Sequence, residues 1–308
     1  MTAAGKGTAL AVLSSFGAAA FLIPYGAATA AATPQGVALA MLLCAACLGT
    51  VTTPWRSGGR LNIDRVTIWV SAALGAGTVI GNIAMAAALL RIEPALTSVI
   101  LQTEILFVAL LAALWLGERI SARFVLGASL AVGGFLVMRL PGAGSATIDV
   151  LGAGAATAAA LSFALMHVIT RVSIRRIDPR AVNALRLWLA VGFLALLPGN
   201  AASLASLDAR VWGLAAAAAT CGPIFGRLCM MYALRSIPAA HARLAGLLAP
   251  VFAFVLGFAL LGSTPSALEL FGGAIILAGV AIPLFENARD GAAPPPPRGR
   301  GGSSRLPR

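Results

Sequence analysis

The sequence predicts an all-α integral membrane protein in which ten transmembrane helices form two inverted five-helix repeats. Three observations predict this fold class: an apolar composition, ten apolar runs of membrane-spanning length, and a constant offset that superimposes the second half of the chain on the first. Only 10% of the 308 residues are charged and 59% are hydrophobic, whereas about 25% of the residues of a soluble domain are charged. The composition therefore excludes a soluble, a disordered or a nucleic-acid-binding protein.

The apolar runs are each roughly 17–25 residues long, enough to cross a hydrocarbon core about 30 Å thick at 1.5 Å per residue. They are separated by Arg, Pro, Asp or Asn, and no two-residue alternation of apolar and polar side chains competes with them, which excludes a β-barrel. The ten predicted spans cover approximately residues 8–30, 34–51, 66–90, 95–116, 124–140, 148–170, 181–198, 210–234, 239–261 and 267–285.

The basic residues between these spans are distributed asymmetrically. With the N-terminus placed in the cytoplasm, 17 of the 22 Lys and Arg residues fall on the cytoplasmic side and only Arg91, Arg139 and Arg210 fall on the other. The positive-inside rule then places both termini in the cytoplasm, and we expect a multi-pass protein of a bacterial inner membrane. The two remaining basic residues, Arg186 and Arg227, lie within predicted spans and are therefore assigned to neither side.

The predicted organisation is a first repeat over residues 1–140, with spans one to five, and a second over residues 141–285, with spans six to ten. Residues 286–308 form a basic tail rich in Pro, Gly and Arg. Such a tail has too little apolar area to bury, so we expect it to be disordered. Its arginines either set the topology in solvent or bind anionic lipid headgroups.

A shift of 145 residues aligns landmarks along the whole chain. Five spans per half is an odd number, so the second repeat enters the membrane from the opposite side. Inverted repeats of this kind rock about a site near the bilayer midplane and give alternating access. The aligned pairs are Gly7 and Gly152, Pro34 and Pro179, Gly77 and Gly222, Gly81 and Gly226, Gly117 and Gly262, Gly127 and Gly272, and Gly134 and Gly279.

The same landmarks resemble a known family, the EamA domain of the drug/metabolite transporter superfamily, over about residues 8 to 285. The resemblance implies a ten-helix secondary transporter, usually an exporter of small metabolites, with a central cavity between two five-helix halves. The two halves have diverged, since Pro250 corresponds to Ile105 and Arg186 to Met41. The motifs that carry the resemblance are Leu116-Gly117-Glu118-Arg119, Leu126-Gly127, Gly133-Gly134, Leu248 to Phe252, Leu261-Gly262, Phe271-Gly272, Ala278-Gly279, Pro179 and Arg186.

Ionisable residues inside the spans are the main candidates for a transport pathway, because each costs about 2.5–3.5 kcal/mol at the centre of an inserted helix. Glu104 lies near the middle of the fourth span, directly after the polar residues Gln102 and Thr103. Two interpretations are open. Glu104 is a proton or substrate-ammonium site at the centre of the cavity, or it forms a buried ion pair with Arg227 or Arg186 that holds the halves together.

Arg227 and Arg186 lie within the eighth and seventh spans, and Arg227 aligns with Asn82 in the third. Each arginine either lines the cavity or extends toward the cytoplasmic surface along its long stem. In the cavity, a guanidinium would hold a substrate carboxylate with two parallel hydrogen bonds. The secondary candidates are His167, Asn183 and Tyr25. The structural alternative for His167 and for Tyr25 is a residue at the membrane interface.

The sequence predicts a secondary active transporter that exports a small metabolite, such as an amino acid or a related amphipathic compound, with proton coupling as one mechanism. The alternatives are a gradient-driven uniporter or exchanger in which Glu104 is structural, and a non-transporting membrane scaffold or sensor. The sequence lacks the zinc-protease, nucleophile-elbow and phosphate-loop motifs, so we expect no enzyme, no metal and no cofactor. The expected partners are a small-molecule substrate and the lipid bilayer, and the oligomeric state is left open.

Overall fold

The computed structural model describes residues 2–57, 60–61, 63–92, 94–118, 120–139, 149–262 and 266–290. Within these ranges the chain is almost entirely helical. Two short strands, β1 (Arg56–Ser57) and β2 (Arg60–Leu61), pair antiparallel in the link between the second and third helices. The α-helices are α1 (Ala3–Ala31), α2 (Pro34–Thr52), α3 (Arg65–Leu89), α4 (Pro94–Leu101), α5 (Glu104–Leu116), α6 (Ala122–Arg139), α7 (Val150–Ser173), α8 (Pro179–Leu196), α9 (Asn200–Leu204), α10 (Ala209–Ala219), α11 (Arg227–Ala233), α12 (Ala239–Ala245), α13 (Ala249–Leu261) and α14 (Ala267–Asp290).

Eight helical segments of the described chain are long and apolar enough to cross a membrane. Two further apolar helices, Ala122–Met138 and Ala267–Pro283, are shorter. These ten segments lie where the ten spans are predicted, so the all-helical membrane fold is confirmed, while the number of crossings stays a prediction. The helix α14 runs to Asp290, into the first residues of the predicted tail, and the predicted disorder of residues 291–308 lies outside the described residues.

Large apolar side chains cover the outside of the helices. On α5, for example, Leu106, Leu110 and Leu114 are each more than half exposed. They recur at every fourth residue, so they form one continuous stripe on the helix surface. An exposed apolar surface of this extent is unfavourable in water but is the normal surface of a helix in lipid.

Aspartate residues begin four of the helices. The carboxylates of Asp64, Asp149, Asp178 and Asp208 accept hydrogen bonds from backbone N–H groups in the first turns of α3, α7, α8 and α10. These bonds satisfy donors that have no partner within the helix. The hydrogen bond from the Thr67 backbone N–H lowers the pKa of Asp64 below its usual value.

The Asp64→Ala variant is expected to be less stable by about 1 kcal/mol at neutral pH, because it leaves the first turn of α3 without its cap. Since the folded protein lowers the pKa of Asp64, this contribution is complete above the unfolded value of about 3.9. It is lost as the pH falls through the lower folded pKa. Thermal unfolding in detergent at several pH values measures the difference.

Asp64→Asn is the matched control for this cap, because asparagine caps a helix about as well as aspartate without a titratable group. We expect the Asn variant to keep the stability of the wild-type protein at neutral pH. An Ala variant that melts at the wild-type temperature at neutral pH would contradict the capping role.

Helices of one half pack against helices of the other in exchanged pairs. The helix α3 packs on α7, and the corresponding contact is that of α1 with the segment from α10 to α11. In the same way, α5 packs on α7, and α1 packs on α12 and α13. The helices α2 and α8 pack on each other, as do α6 and α14. A pseudo-twofold axis between the halves produces this pattern, so the core lies between the repeats rather than within each of them.

Glycine permits the closest of these contacts. A side chain at Gly77 or Gly81 of α3 would overlap Met166 or Phe163 of α7, and one at Gly222 would overlap Phe21 of α1. The glycine pairs Gly77/Gly81 and Gly222/Gly226, each separated by three residues, thus lie at corresponding interfaces between the halves. They allow the helix backbones to approach closely.

Two helices are interrupted at the same place in the two halves. The helices α4 and α5 are separated by Gln102 and Thr103, and a 3₁₀ turn at Gly246–Leu248 separates α12 from α13. The offset of 145 residues places Gln102 opposite Leu247. A third irregular segment, a π-helix at Thr220–Gly226 that contains Pro223, has a regular α-helix as its counterpart.

Contacts between loops define two ends of the bundle, which we call the inner end and the outer end. At the inner end, Gly7 near the start of α1 approaches Ser236 and Ile237 in the link between α11 and α12. At the outer end, Gly36 near the start of α2 approaches Ser203 of α9, and Arg91 forms an ion pair with Asp149, 3.3 Å apart.

Candidate functional site

A cavity of about 730 Å³ lies between the two halves. It extends from residues near the outer end, such as Pro34, Leu89 and Asn200, to the guanidinium groups of Arg186 and Arg227. Most of its lining is apolar. The polar residues among those that line it are Ser14, Tyr25, Gln35, Thr78, Asn82, His167, Arg186, Asn200 and Arg227.

Arg186 is fixed in the cavity wall by side chains from both halves. One terminal nitrogen donates to the hydroxyl oxygen of Thr78, 3.0 Å away, and the other donates to the amide oxygen of Asn183, 2.9 Å away. The Nε–H of Arg186 has no hydrogen-bond partner among the described residues, although the residue is only 7% exposed. An unpaired buried donor is costly, and here it belongs to a residue of the cavity wall.

Asn183 does not line the cavity and instead supports Arg186 from behind. Its side-chain N–H donates to the carbonyl oxygen of Pro223, 2.9 Å away, while its oxygen accepts from Arg186. Pro223 lies in the π-helical segment, where the irregular backbone leaves this carbonyl available. The predicted cavity role of Asn183 is therefore replaced by a positioning role.

Arg227 lines the cavity at the first residue after the π-helical segment. A terminal nitrogen of Arg227 donates a long hydrogen bond to the hydroxyl oxygen of Thr170, 3.4 Å away, and its buried Nε–H has no hydrogen-bond partner among the described residues. The positive charge of Arg227 acts on Arg186, and the negative charge of Glu104 acts on Arg227. Both arginines line the cavity, and neither has a carboxylate within 4.0 Å in the described part of the chain.

Asn82 and Tyr25 also line the cavity, toward its outer part. The Asn82 side-chain N–H donates to the Thr78 carbonyl, 2.6 Å away. The amide oxygen of Asn82 takes no part in this bond. Tyr25 stacks on Phe21 with ring centroids 4.7 Å apart, and both rings belong to the lining. The interpretation of Tyr25 as an interfacial anchor stays a prediction.

Glu104 does not line the cavity, and its ion-pair partner differs from both predicted ones. Its Oε1 lies 2.9 Å from Nε of Arg243 and 3.1 Å from Nδ1 of His167. His167 does line the cavity, so it lies between the cavity and Glu104. The expected position of Glu104 at the centre of the cavity was wrong, because the helix break turns it toward α7 and α12, whereas its role as a proton site stays a prediction.

Arg243 is the residue of this cluster that sequence reasoning missed. It is counted there among the cytoplasmic loop residues, whereas it lies in α12 with its side chain only 13% exposed. The sequence feature that could have indicated a buried position is that Arg243 is the fifth residue of the ninth predicted span. A terminal nitrogen of Arg243 also donates to the side-chain oxygen of Gln102, 3.2 Å away.

Gln102 and Thr103 form the interruption between α4 and α5 rather than part of the cavity wall. The Ile100 carbonyl accepts from the backbone N–H of Thr103, 3.0 Å away, and also from the Thr103 hydroxyl, 2.7 Å away. Their polarity is thus explained by the break and by Arg243. Among the described residues, no three His, Cys, Asp or Glu side chains are grouped to hold a metal ion.

Comparison with known proteins identifies the family. The sequence profile of the EamA-like transporter family matches residues 5–140 and again residues 150–285. The chain belongs to the EamA-like transporter family. The predicted resemblance is confirmed, and the protein is a multi-pass membrane protein of a transporter family.

One relative and one solved structure are similar to this EamA-like chain. A protein of Streptantibioticus cattleyicolor, named "Probable terminal-alkyne amino-acid exporter", is 31% identical over 186 residues, which are 57% of this chain and 59% of that protein. The match thus spans less than two thirds of the relative. A structure titled only as the crystal structure of a protein has a TM-score of 0.74 at 21% identity, covers 92% of this chain and 98% of its own, and shows the fold alone.

The inner end of the EamA-like bundle is closed by contacts that we call the inner-end lock, formed by Glu118, Arg171, Leu234 and Ala239. The Glu118 carboxylate accepts from Nε of Arg171 at 3.2 Å and from the backbone N–H of Ala239 at 3.0 Å. Arg171 also donates to the carbonyl of Leu234. These bonds join the ends of α5, α7 and α11 and the start of α12.

Proposed function

We propose that the protein is a secondary active transporter that exports a small metabolite, an amino acid or a related amphipathic compound, by alternating access through this cavity. The observation that carries the proposal is a cavity between two related halves, which extends toward the outer end and whose described lining does not include the residues of the inner-end lock. A scaffold or sensor has no need of a cavity with two arginines and a closed opposite end. The family and the relative's name support the same function.

The charge distribution supports a direction for the open end. The basic residues of the links favour an inner end in the cytoplasm, with both termini on that side of a bacterial inner membrane. The cavity in this conformation then opens away from the cytoplasm. Export requires a second conformation in which the inner-end lock separates and the outer end closes around the same arginines.

Proton coupling through Glu104 and His167 completes the proposal. His167 contacts both the cavity and Glu104, so one imidazole connects the cavity to a buried carboxylate. The contact between Glu104 and Arg243 favours the alternative, a uniporter or exchanger driven by the substrate gradient, in which Glu104 is structural. Neutralising both members of this pair distinguishes the two mechanisms.

Flux into proteoliposomes tests the proposed transport function. The probes are propargylglycine, a simple terminal-alkyne amino acid chosen because of the relative's name, and N-acetylphenylalanine, a related amphipathic anion, each with and without an imposed pH gradient. We expect uptake faster than in protein-free liposomes, and acceleration by the gradient if the proton mechanism holds. Uptake equal to that of protein-free liposomes, together with no change in inner-end accessibility, would favour the scaffold or sensor instead.

Cross-linking the inner-end lock is expected to stop transport almost completely. The double variant Glu118→Cys/Ala239→Cys, in a chain whose four native cysteines are replaced, carries thiols where the carboxylate meets the backbone of α12. A short bifunctional thiol reagent that can be cleaved by reduction would then hold the inner end closed. Flux should return after reduction, because the lock must open once in every cycle.

The two single-cysteine variants, treated with the same reagent, control for the effect of modification itself. We expect them to keep their flux after treatment. Undiminished transport in the cross-linked double variant would contradict alternating access through the inner end.

A further inference from the structure

We propose that the cavity selects its substrate as a carboxylate anion with an apolar body, and that it has no site for a substrate ammonium group. The inference deepens the proposed function, on which it rests, by naming the substrate class. The preferred ligands are monoanionic amphipathic carboxylates, such as N-acylated amino acids, rather than zwitterions or amines. The charges that line the cavity lead to this class.

The deep part of the cavity provides unused hydrogen-bond donors. A guanidinium has five N–H donors, of which Arg186 uses one each toward Thr78 and Asn183. Arg227 has only the long contact with Thr170. The Nε–H groups of both arginines are buried and without a hydrogen-bond partner among the described residues. A carboxylate has the planar geometry and the charge that such donors bind best.

The atoms that hold each arginine are neutral oxygen atoms. The supporting atoms of Arg186 are a hydroxyl and an amide oxygen, and that of Arg227 is a hydroxyl. The carboxylate whose charge acts on Arg227, Glu104, is itself paired with Arg243 and His167 outside the cavity lining. Two guanidinium groups that line one cavity gain more from an incoming anion than either would alone. The ligand thereby supplies the missing negative charge.

A substrate ammonium group would find no acidic side chain among the described residues that line the cavity. The nearest buried carboxylate, Glu104, lies behind His167 and is already paired with Arg243 at 2.9 Å. An ammonium ion in the deep part would lose its hydration and be repelled by two like charges. The same groups that favour the carboxylate therefore disfavour a positive charge beside it.

The rest of the cavity favours an apolar body. From the arginines toward the outer end, the lining includes the stacked rings of Phe21 and Tyr25 together with Met41, Leu42 and Leu194. A volume of about 730 Å³ is that of a pocket for a small organic molecule rather than for an inorganic ion. A substrate with its carboxylate at the arginines would place its side chain against these apolar residues.

Binding of three related ligands to the wild-type protein in detergent tests the inference without any substitution. The ligands are phenylalanine as zwitterion, N-acetylphenylalanine as anion and phenylalanine methyl ester as cation, measured by calorimetric titration. We expect the anion to bind at least about tenfold more tightly than the zwitterion, and the cation not to bind, because like charges in a desolvated site repel by more than the equivalent of a tenfold change. Equal affinities, tighter binding of the zwitterion, or no binding of the anion would overturn the inference.

Two variants test whether the arginines are responsible. Arg227→Gln should remove the preference for the anion. Thr78→Val should weaken it about tenfold, because it removes the oxygen that orients Arg186 and leaves its charge. Arg180→Gln, which makes the same change at an exposed arginine outside the cavity lining, is the control and should keep the preference. An unchanged preference in a folded Arg227→Gln protein would overturn the role of the arginine pair.

The outcomes separate this inference from the proposed function. Tight and selective anion binding without any flux of N-acetylphenylalanine or propargylglycine would support the recognition site and contradict transport. Flux of propargylglycine with no preference for the anion would support transport and contradict the inference.

Discussion

The Glu104→Gln variant is expected to be less stable than the wild-type protein by about 3 kcal/mol, because breaking a buried ion pair leaves the remaining charge uncompensated. In this protein the remaining charge is Arg243, whose side chain is only 13% exposed and has its Nε 2.9 Å from the carboxylate. Thermal unfolding in a fixed detergent measures the loss. Glu269→Gln, which changes a carboxylate at the start of α14, is the matched control and should melt near the wild-type temperature.

The double variant Glu104→Gln/Arg243→Gln separates stability from coupling. Since it removes both charges together, it should recover a large part of the stability that Glu104→Gln loses. If Glu104 carries the proton, this variant exchanges substrate but no longer responds to an imposed pH gradient. A double variant whose gradient-driven flux equals that of the wild-type protein would instead assign Glu104 a structural role and favour the uniporter or exchanger.

The Gly279→Ala variant is expected to disrupt the pairing of α6 and α14, with a loss of at least about 1–3 kcal/mol. A methyl group at Gly279 would lie 2.5 Å from the backbone nitrogen of Ala131 and 2.6 Å from the carbonyl oxygen of Gly127. Both neighbours are backbone atoms, so no side chain can move to make room, and the helices must separate. Folded yield and thermal unfolding in detergent measure the effect.

Gly273→Ala is the matched control, because it lies on the same helix and its added methyl group would meet only Val251 at 3.9 Å. This variant should be as stable as the wild-type protein or slightly more stable, since alanine has the higher helix propensity. A Gly279→Ala protein that melts at or above the temperature of the Gly273→Ala protein would contradict close backbone packing at this interface.

Much of the fold could be predicted from the sequence. The apolar runs match the helices because a membrane-spanning segment needs a fixed length of apolar residues, which is a property of consecutive positions. The repeat was visible because glycines required for close packing recur at the same offset, and Gly77, Gly127 and their counterparts do lie at interfaces between the halves. The aspartates before α3 and α8 mark helix starts for an equally local reason.

The candidate site could be predicted only in part. Five of the predicted candidates do line the cavity: Arg186, Arg227, Asn82, His167 and Tyr25. They could be selected from the sequence because each is a polar residue within an apolar span. Three other candidates lie outside the lining: Glu104 is paired behind His167, Gln102 binds Arg243, and the Thr103 hydroxyl donates to the Ile100 carbonyl at the helix break.

The contacts of Glu118 and Asn183 could not be predicted from the sequence either. Glu118 stands beside Arg119 in the sequence, yet it binds Arg171 from α7 and the backbone of Ala239. The role of Asn183 depends on a carbonyl of the π-helical segment, forty residues away in the chain. Neither partner follows from local spacing, because each contact joins separate helices.

The sequence by itself determined that this chain is a repeated bundle of membrane helices with a few buried charges. The length of each apolar run, its hydropathy and the repeat offset all follow from the order of the residues along the chain. Only the tertiary structure decided that Glu104 meets Arg243 and that Arg186 meets Thr78. The physical reason is that these helices are apolar on nearly all faces. Rotation and depth are then set by packing between the halves, which decides which polar groups face each other.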